Sequence, residues 1–485
     1  MKKNIICLFL LLILAGCSVS LPDATLSDKL PVIFPDYTFV TIPSNIAPLN
    51  FRLTQRHSDA IAAIECGGQK ILLKEKGGQF TIPSSKWGEM LRQSIGRKLK
   101  VTVYAQNGSW IAYKPFTIEV AKEKMDPYIA YRLIDPGYEL WNNIGIYQCN
   151  VENDKQSPIM ENRLSDRNCM NCHSFCMQNP DKMLFHMRGK NGGTYLIDGN
   201  KIEKLNTKTD KTISALVYPS WHPGGRYVAF SVNDISQSFH QNDRNRIEVF
   251  DKASDVVVYD TQAHLVYSDS IVSRSDCFET FPTFSPDGRR LFFCSAPARP
   301  MPQGYAEEKY SICSVSFDPA THTFGQTVDT LFSASRQGRS ASFPRVSPDG
   351  KYLLFTVSNY GNFSIWHKDA DLYMIDLKSG NLYPLTAANS NNVESYHSWC
   401  SNSHWFVFSS RRLDGLYTRP FFAHVDDQGN VSKAFLLPQK DTRYYDRLMK
   451  SYNVPEFIKG KVRNRMHKLA EIAKQDKGID IRSAF

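Results

Sequence analysis

The chain has 485 residues, 42% of them apolar and 12% aromatic, with 58 Lys and Arg against 48 Asp and Glu. That length exceeds one small core and predicts about two or three domains. The net charge of +10 is scattered, with a cluster only near the C-terminus, which excludes the concentrated basic footprint of a nucleic-acid binder.

In chain order, Lys2 and Lys3 precede an apolar run from Ile5 to Leu14. The run is too short to span a bilayer and reads as a secretory signal. It ends in Leu14-Ala15-Gly16-Cys17, which resembles the lipobox of bacterial lipoproteins. The resemblance implies removal of residues 1–16, acylation of the Cys17 thiol and attachment to the membrane through lipid. The alternative is an ordinary signal peptide with a chance cysteine. Residues 17–34 are expected to be a tether. No acidic run follows Cys17, which leans toward the periplasmic face. The expected location is the bacterial cell envelope, on the outer membrane in preference to the inner one.

Residues 35–122 alternate short β-rich runs, such as Tyr37 to Ile42 and Lys100 to Ala105, with turns at Pro43, Gly67-Gly68 and Asn107-Gly108. The pattern predicts a small β-sandwich of immunoglobulin or fibronectin type, with one helix near Ser85 to Ser94. No catalytic pattern lies within it.

Cys169-Met170-Asn171-Cys172-His173 has the spacing of covalent haem attachment. Cys169 and Cys172 would bond to the two vinyl groups of one haem c, and His173 would ligate the iron. Two other chemistries use the same residues: a disulfide, or half of a zinc site completed by Cys176 and a distant histidine. For the distal iron position the nearby residues are His186 and Met187, with Met177 and Met183 also close in sequence. An open distal position, suited to small-ligand sensing or peroxidase-like chemistry, is the remaining possibility. Of the other cysteines, Cys294 and Cys313 lie in strand-like runs, as disulfide partners or as two small buried residues.

An internal repeat decides the fold. PSWHPGGRYVAF at 219–230, PTFSPDGRRLFF at 282–293, PRVSPDGKYLLF at 344–355 and HSWCSNSHWFVF at 397–408 each place an aromatic or apolar anchor before a turn and an alternating strand. The anchors are Trp221, Phe284, Val346 and Trp399. Asp-Gly suits a two-residue hairpin turn, and such sheets bury both faces only by stacking around an axis. These segments resemble the repeats of TolB-type β-propellers. The resemblance implies an all-β chain with a propeller over 123–440, six-bladed by preference, and a haem-attachment loop near 169–173 in an early blade. TolB itself carries an N-terminal α/β domain, which this N-terminal segment does not match.

Residues 441–485 are expected to form a helical tail, with an amphipathic helix from Arg463 to Gln475. His222, His240, His367, His397, His404 and His424 are dispersed, as blade-edge residues or as a set converging on the propeller axis. Neither a Gly-x-Ser-x-Gly elbow nor a Walker loop is present, so hydrolase and nucleotide chemistry have no motif to rest on. The sequence thus predicts a lipid-anchored propeller carrying one haem for electron transfer or redox sensing next to an envelope protein. The alternative is a propeller scaffold that binds envelope proteins or glycans.

Overall fold

The computed structural model describes residues 19–135, 143–241, 243, 245–475 and 477–485. The signal segment and Cys17 lie outside the described residues. The architecture is all-β: a β-rich N-terminal unit followed by a six-bladed propeller.

The N-terminal unit is built on the long strands Asp59–Cys66 and Lys98–Asn107, paired antiparallel at the centre of a seven-stranded sheet. Strand geometry sends alternate residues to opposite faces. Ala60, Ala62 and Ile64 accordingly share one buried face with Leu99, Val101 and Val103. The covering layer is small: the ribbon Ile33–Phe34 with Arg52–Leu53 and the helix Ser84–Gln93, whose Trp87, Met90 and Leu91 enter the core. Trp87 Nε1 donates to the Ile46 carbonyl at 3.0 Å, so burying the indole leaves no unpaired donor. The stretch expected as a tether contributes structure from its described part onward. Thr25–Leu26 adds a parallel strand beside Ser109–Ala112, and Ile33–Phe34 joins the ribbon.

The blades follow in order. The first takes Tyr128–Ile134, Gly145–Asn150 and Gln156–Glu161 from the start of the propeller and Ser451–Ile458 from its end. The next five begin with Met170–Phe175, Val217–Trp221, Cys277–Phe284, Ser340–Val346 and Glu394–Trp399, each the first strand of its sheet. Ser451–Ile458 pairs antiparallel with Tyr128–Ile134 and closes the ring with main-chain hydrogen bonds. Its Tyr452, Phe457 and Ile458 are fully buried, each contributing roughly 1.5–3 kcal/mol by burial.

The tail therefore differs from the expected helical segment. It holds the closing strand, a helix over Met466–Ala473, and two short strands, Ile479–Asp480 and Arg482–Ser483. These two add in parallel to the outer edges of the second and third blades. The helix buries Leu469, Ala470 and Ala473 against the first two blades. Edge strands of a propeller have unpaired backbone groups, and the tail covers two of them.

The blade turns also differ in detail. In Ser285-Pro286-Asp287-Gly288 only the glycine has a positive φ, 73°, and its N–H donates to the Ser285 carbonyl at 2.9 Å. This is a four-residue turn with Pro at its second position rather than a two-residue hairpin turn. Ser347-Pro348-Asp349-Gly350 repeats it, with Ser347 Oγ accepting from the Tyr352 N–H at 2.9 Å. In the degenerate sixth blade Ser403 takes the glycine position at φ 66°.

The N-terminal unit is docked on the ring. One continuous core runs from Trp87 and Val101 to Trp405 and Phe422 of the sixth blade. Asp126 seals that seam by accepting from the Ser401 N–H at 2.8 Å and the Ser401 hydroxyl at 2.7 Å.

Candidate functional site

All six innermost strands carry the same irregularity. The pairing register slips by one or more residues, and one residue at the slip has a positive φ: Cys172, Tyr218, Phe281, Phe343, Tyr396 and Val454, at 47–55°. The residue that follows is His173, Pro219, Pro282, Pro344, His397 or Pro455. A bulge of this kind bends a strand and re-aims a side chain. Proline is tolerated because the bulge interrupts the ladder. The Cys-x-x-Cys-His segment is therefore not a loop appended to a blade. Met170–Phe175 is the innermost strand of the second blade, and Cys172-His173 is its bulge.

This placement puts the motif at the axis. Residues from all six innermost strands line two cavities that meet at the bulge ring. One, of about 160 Å³, is lined by Phe175, Trp221, Arg345 and Glu456 among others. The other, of about 230 Å³, is lined by Cys169, Cys172 and His173 together with Arg132, Arg188 and Arg411 and an apolar wall that includes Ile134, Phe343 and Trp366. His173 and Arg345 border both.

The chemistry of the second cavity follows from burial. His173 is 3% exposed, and neither ring nitrogen has a hydrogen-bond partner. Burial, reinforced by the Arg132 cation, pushes its pKa down to about 3, so the imidazole is neutral at pH 7. Burial raises the Cys172 thiol above its ordinary value, against the opposing pull of Arg188 and Arg132. Arg132 Nε is buried without a partner. Arg411 stacks on the Trp366 ring at 3.4 Å and donates from Nε to the Ile365 carbonyl at 2.8 Å. Burial draws its pKa down to about 9, which leaves it charged at pH 7. Among the described residues four arginines, including Arg345, line this cavity with one carboxylate, Asp135.

The structure brings Cys169, Cys172 and His173 together and separates them from the other predicted residues. Met187 lies in the core between the first two blades with Met183 and Phe185. His186 is buried on the opposite strand face, with Nδ1 3.1 Å from Thr194 Oγ1. Neither is among the residues lining the axial cavities. Met177 lines the first cavity instead. Cys176 sits in the core between the second and third blades. Among the described residues no group of three or more His, Cys, Asp or Glu side chains is placed to hold a metal ion. All nine described cysteines are free. Cys294 pairs across the sheet with Ile312 and Cys313 with Phe293, so the two thiols point to opposite faces and enter different cores.

The dispersed histidines do not converge. His367 Nε2 is 2.8 Å from Glu248, His222 Nε2 is 3.2 Å from the Gly288 carbonyl, and His404 stacks on His424 beside Glu123. Only His397 reaches the axis with His173, where its Nε2 donates to the Leu354 carbonyl at 3.1 Å. The sequence reading missed the arginines, which come from strand ends of the first, second and fifth blades and from the loop after Ser410 and carry no shared motif.

The fold has parallels among solved structures. TolB from Acinetobacter baumannii is 15% identical, with a TM-score of 0.43 over 77% of this chain and 85% of that one. A hypothetical selenium-binding protein from Sulfolobus tokodaii is 9% identical, with a TM-score of 0.42 over 85% of this chain and 96% of that one. A puromycin-hydrolyzing peptidase of Mycobacterium tuberculosis is 12% identical, with a TM-score of 0.37 over 84% of this chain and 57% of that one. These likenesses concern the fold alone. No family model matches the chain. No curated protein sequence matches it either. Among the described residues no helix is long and apolar enough to cross a membrane.

Proposed function

We propose that this chain is a lipid-anchored envelope protein whose propeller carries one covalent haem c in the axial cavity, for electron transfer or redox sensing beside a protein partner. The observation that carries this reading is the convergence of Cys169, Cys172 and the buried, neutral imidazole of His173 on one cavity. The residues fit the group. Cys169 and Cys172 would hold the group covalently through its two vinyl substituents, and His173 would ligate its iron. When bound, the haem supplies a one-electron iron couple.

The chain's own residues would do the rest. The bulge holds Cys172 at the axis, and the blade cores on either side fix the strand. Burial keeps His173 deprotonated, the state a metal ligand needs. Arg132 and Arg188 provide cations for the two haem carboxylates. Ile134, Phe343 and Trp366 keep water from the macrocycle. Anchoring rests on the Leu14-Ala15-Gly16-Cys17 segment.

The test is a reduced-minus-oxidised spectrum of the full-length protein, purified from a host with cytochrome c maturation machinery. A reversible haem spectrum that changes in His173→Ala is expected. A colourless protein, beside a control cytochrome that matures in the same cells, would leave only a propeller scaffold.

A further inference from the structure

The first axial cavity is lined by a ring of polar side chains. Two residues beyond each bulge residue, the six innermost strands place Ser174, Ser220, Thr283, Arg345, Ser398 and Glu456. All six line that cavity. They hold the same place in six blades, so the fold sets four hydroxyls, one guanidinium and one carboxyl group around the axis. Arg345 in the fifth blade and Glu456 in the first stand on either side of Ser398 in the sixth.

Short hydroxyl side chains are enough to line a narrow, wet axis. An arginine is not needed for that, and a charge taken out of bulk water costs stability unless it is paired. Among the described residues Arg345 makes no ion pair, and its guanidinium donates from Nη1 to the Pro344 carbonyl at 2.9 Å. Glu456 accepts at Oε1 from the Phe175 N–H at 2.9 Å. Burial raises the Glu456 pKa to about 8, so at pH 7 it is mostly protonated and Arg345 supplies the net charge of the ring. His173 and His397, which border the cavity, are neutral. Ser398 Oγ donates to the Pro455 carbonyl at 3.0 Å and Ser220 Oγ to Thr283 Oγ1 at 3.5 Å. Each hydroxyl oxygen keeps acceptor capacity for an incoming group. Trp221, Phe284 and Trp399 add apolar wall.

One unpaired cation among hydroxyls matches a small anion that carries hydroxyls of its own. The guanidinium fork fits a carboxylate through two parallel hydrogen bonds. The cavity volume of about 160 Å³ corresponds to about five waters at about 30 Å³ each, the scale of one small organic acid. We propose that this ring is a binding site for a small hydroxylated monocarboxylate, its carboxylate on Arg345 and its hydroxyls on the serine and threonine hydroxyls and on Glu456.

The site does not depend on haem, and the experiment uses the purified full-length chain whatever its haem content. Glycerate and gluconate are titrated by calorimetry. The comparison compounds are glycerol, which lacks the carboxylate, propionate, which lacks the hydroxyls, and serine, which sets an ammonium beside the carboxylate. Glycerate or gluconate is expected to bind about tenfold or more tighter than any of these. Arg345→Gln is expected to weaken that binding by about tenfold or more, the loss of a charge-assisted hydrogen bond. No binding of either acid would overturn the proposal, as would serine or propionate binding as tightly. An Arg345→Gln protein with the native circular dichroism and undiminished affinity would overturn the assigned contact. If that variant does not fold, the five compounds on the unaltered chain decide the matter alone.

Discussion

His397 tests what the axial bulge does to an imidazole, because it occupies in the sixth blade the position that His173 occupies in the second. It is 3% exposed, its Nδ1 has no partner, and its charged neighbour is Arg345. Burial, with that cation, pushes its pKa down to about 3, against about 6.5 in an unfolded chain. A depressed histidine pKa contributes stability that is complete above the unfolded value and is lost as the pH falls from 6.5 toward 3. Between pH 7.5 and pH 5 the linked loss is about 2 kcal/mol. His397→Gln removes the titration. Whatever constant cost the amide brings, the stability gap between the two proteins must shift by about 2 kcal/mol in favour of the variant over that range. Urea unfolding followed by tryptophan fluorescence at the two pH values measures it. A gap independent of pH, or one moving the other way, would refute the claim that axial imidazoles are held neutral by burial.

Other expectations follow from single groups. Glu279 is 1% exposed, and burial raises its pKa to about 8. A raised carboxyl pKa costs stability above the unfolded value, so Glu279→Gln should gain about 3 kcal/mol at pH 7 and under about 1 kcal/mol at pH 5, read from urea midpoints. Phe457 is fully buried in the closing strand; Phe457→Ala should cost about 3–5 kcal/mol, seen as a lowered unfolding midpoint. Asp126→Ala strands the Ser401 N–H and hydroxyl at the seam between the two units. It should cost about 1–3 kcal/mol and raise the rate of limited proteolysis near residue 126.

The propeller was legible because its repeat joins two independent signals, a turn that needs glycine and a strand that needs alternation. Ser285 to Gly288 and Ser347 to Gly350 show both. The closing strand was not, since Ser451–Ile458 lacks the turn and contains Pro455, which reads as a strand breaker. The bulge ring removes that objection: proline stands at the same place in the third, fourth and fifth blades. An aromatic or β-branched residue, then proline or histidine, then an apolar residue two further on would have revealed it. That spacing links Val454, Pro455 and Phe457 to Tyr218, Pro219 and Trp221. The same alignment sets Cys172, His173 and Phe175 in the ring. The thiol pair and its histidine were legible as a motif, but their position at the axis was not, because a cysteine in a bulge breaks no local rule. His186 and Met187 illustrate the limit of proximity in sequence. Strand alternation sends one to a hydrogen bond with Thr194 and the other into a blade core.

The most direct test of the account is whether haem stays with the polypeptide after denaturation. The full-length chain and its Cys169→Ala/Cys172→Ala counterpart would be produced with cytochrome c maturation machinery, run on a denaturing gel and stained for haem. The account predicts staining of the unaltered chain and none of the double variant. An unstained chain beside a stained control cytochrome, or equal staining of both proteins, would contradict it.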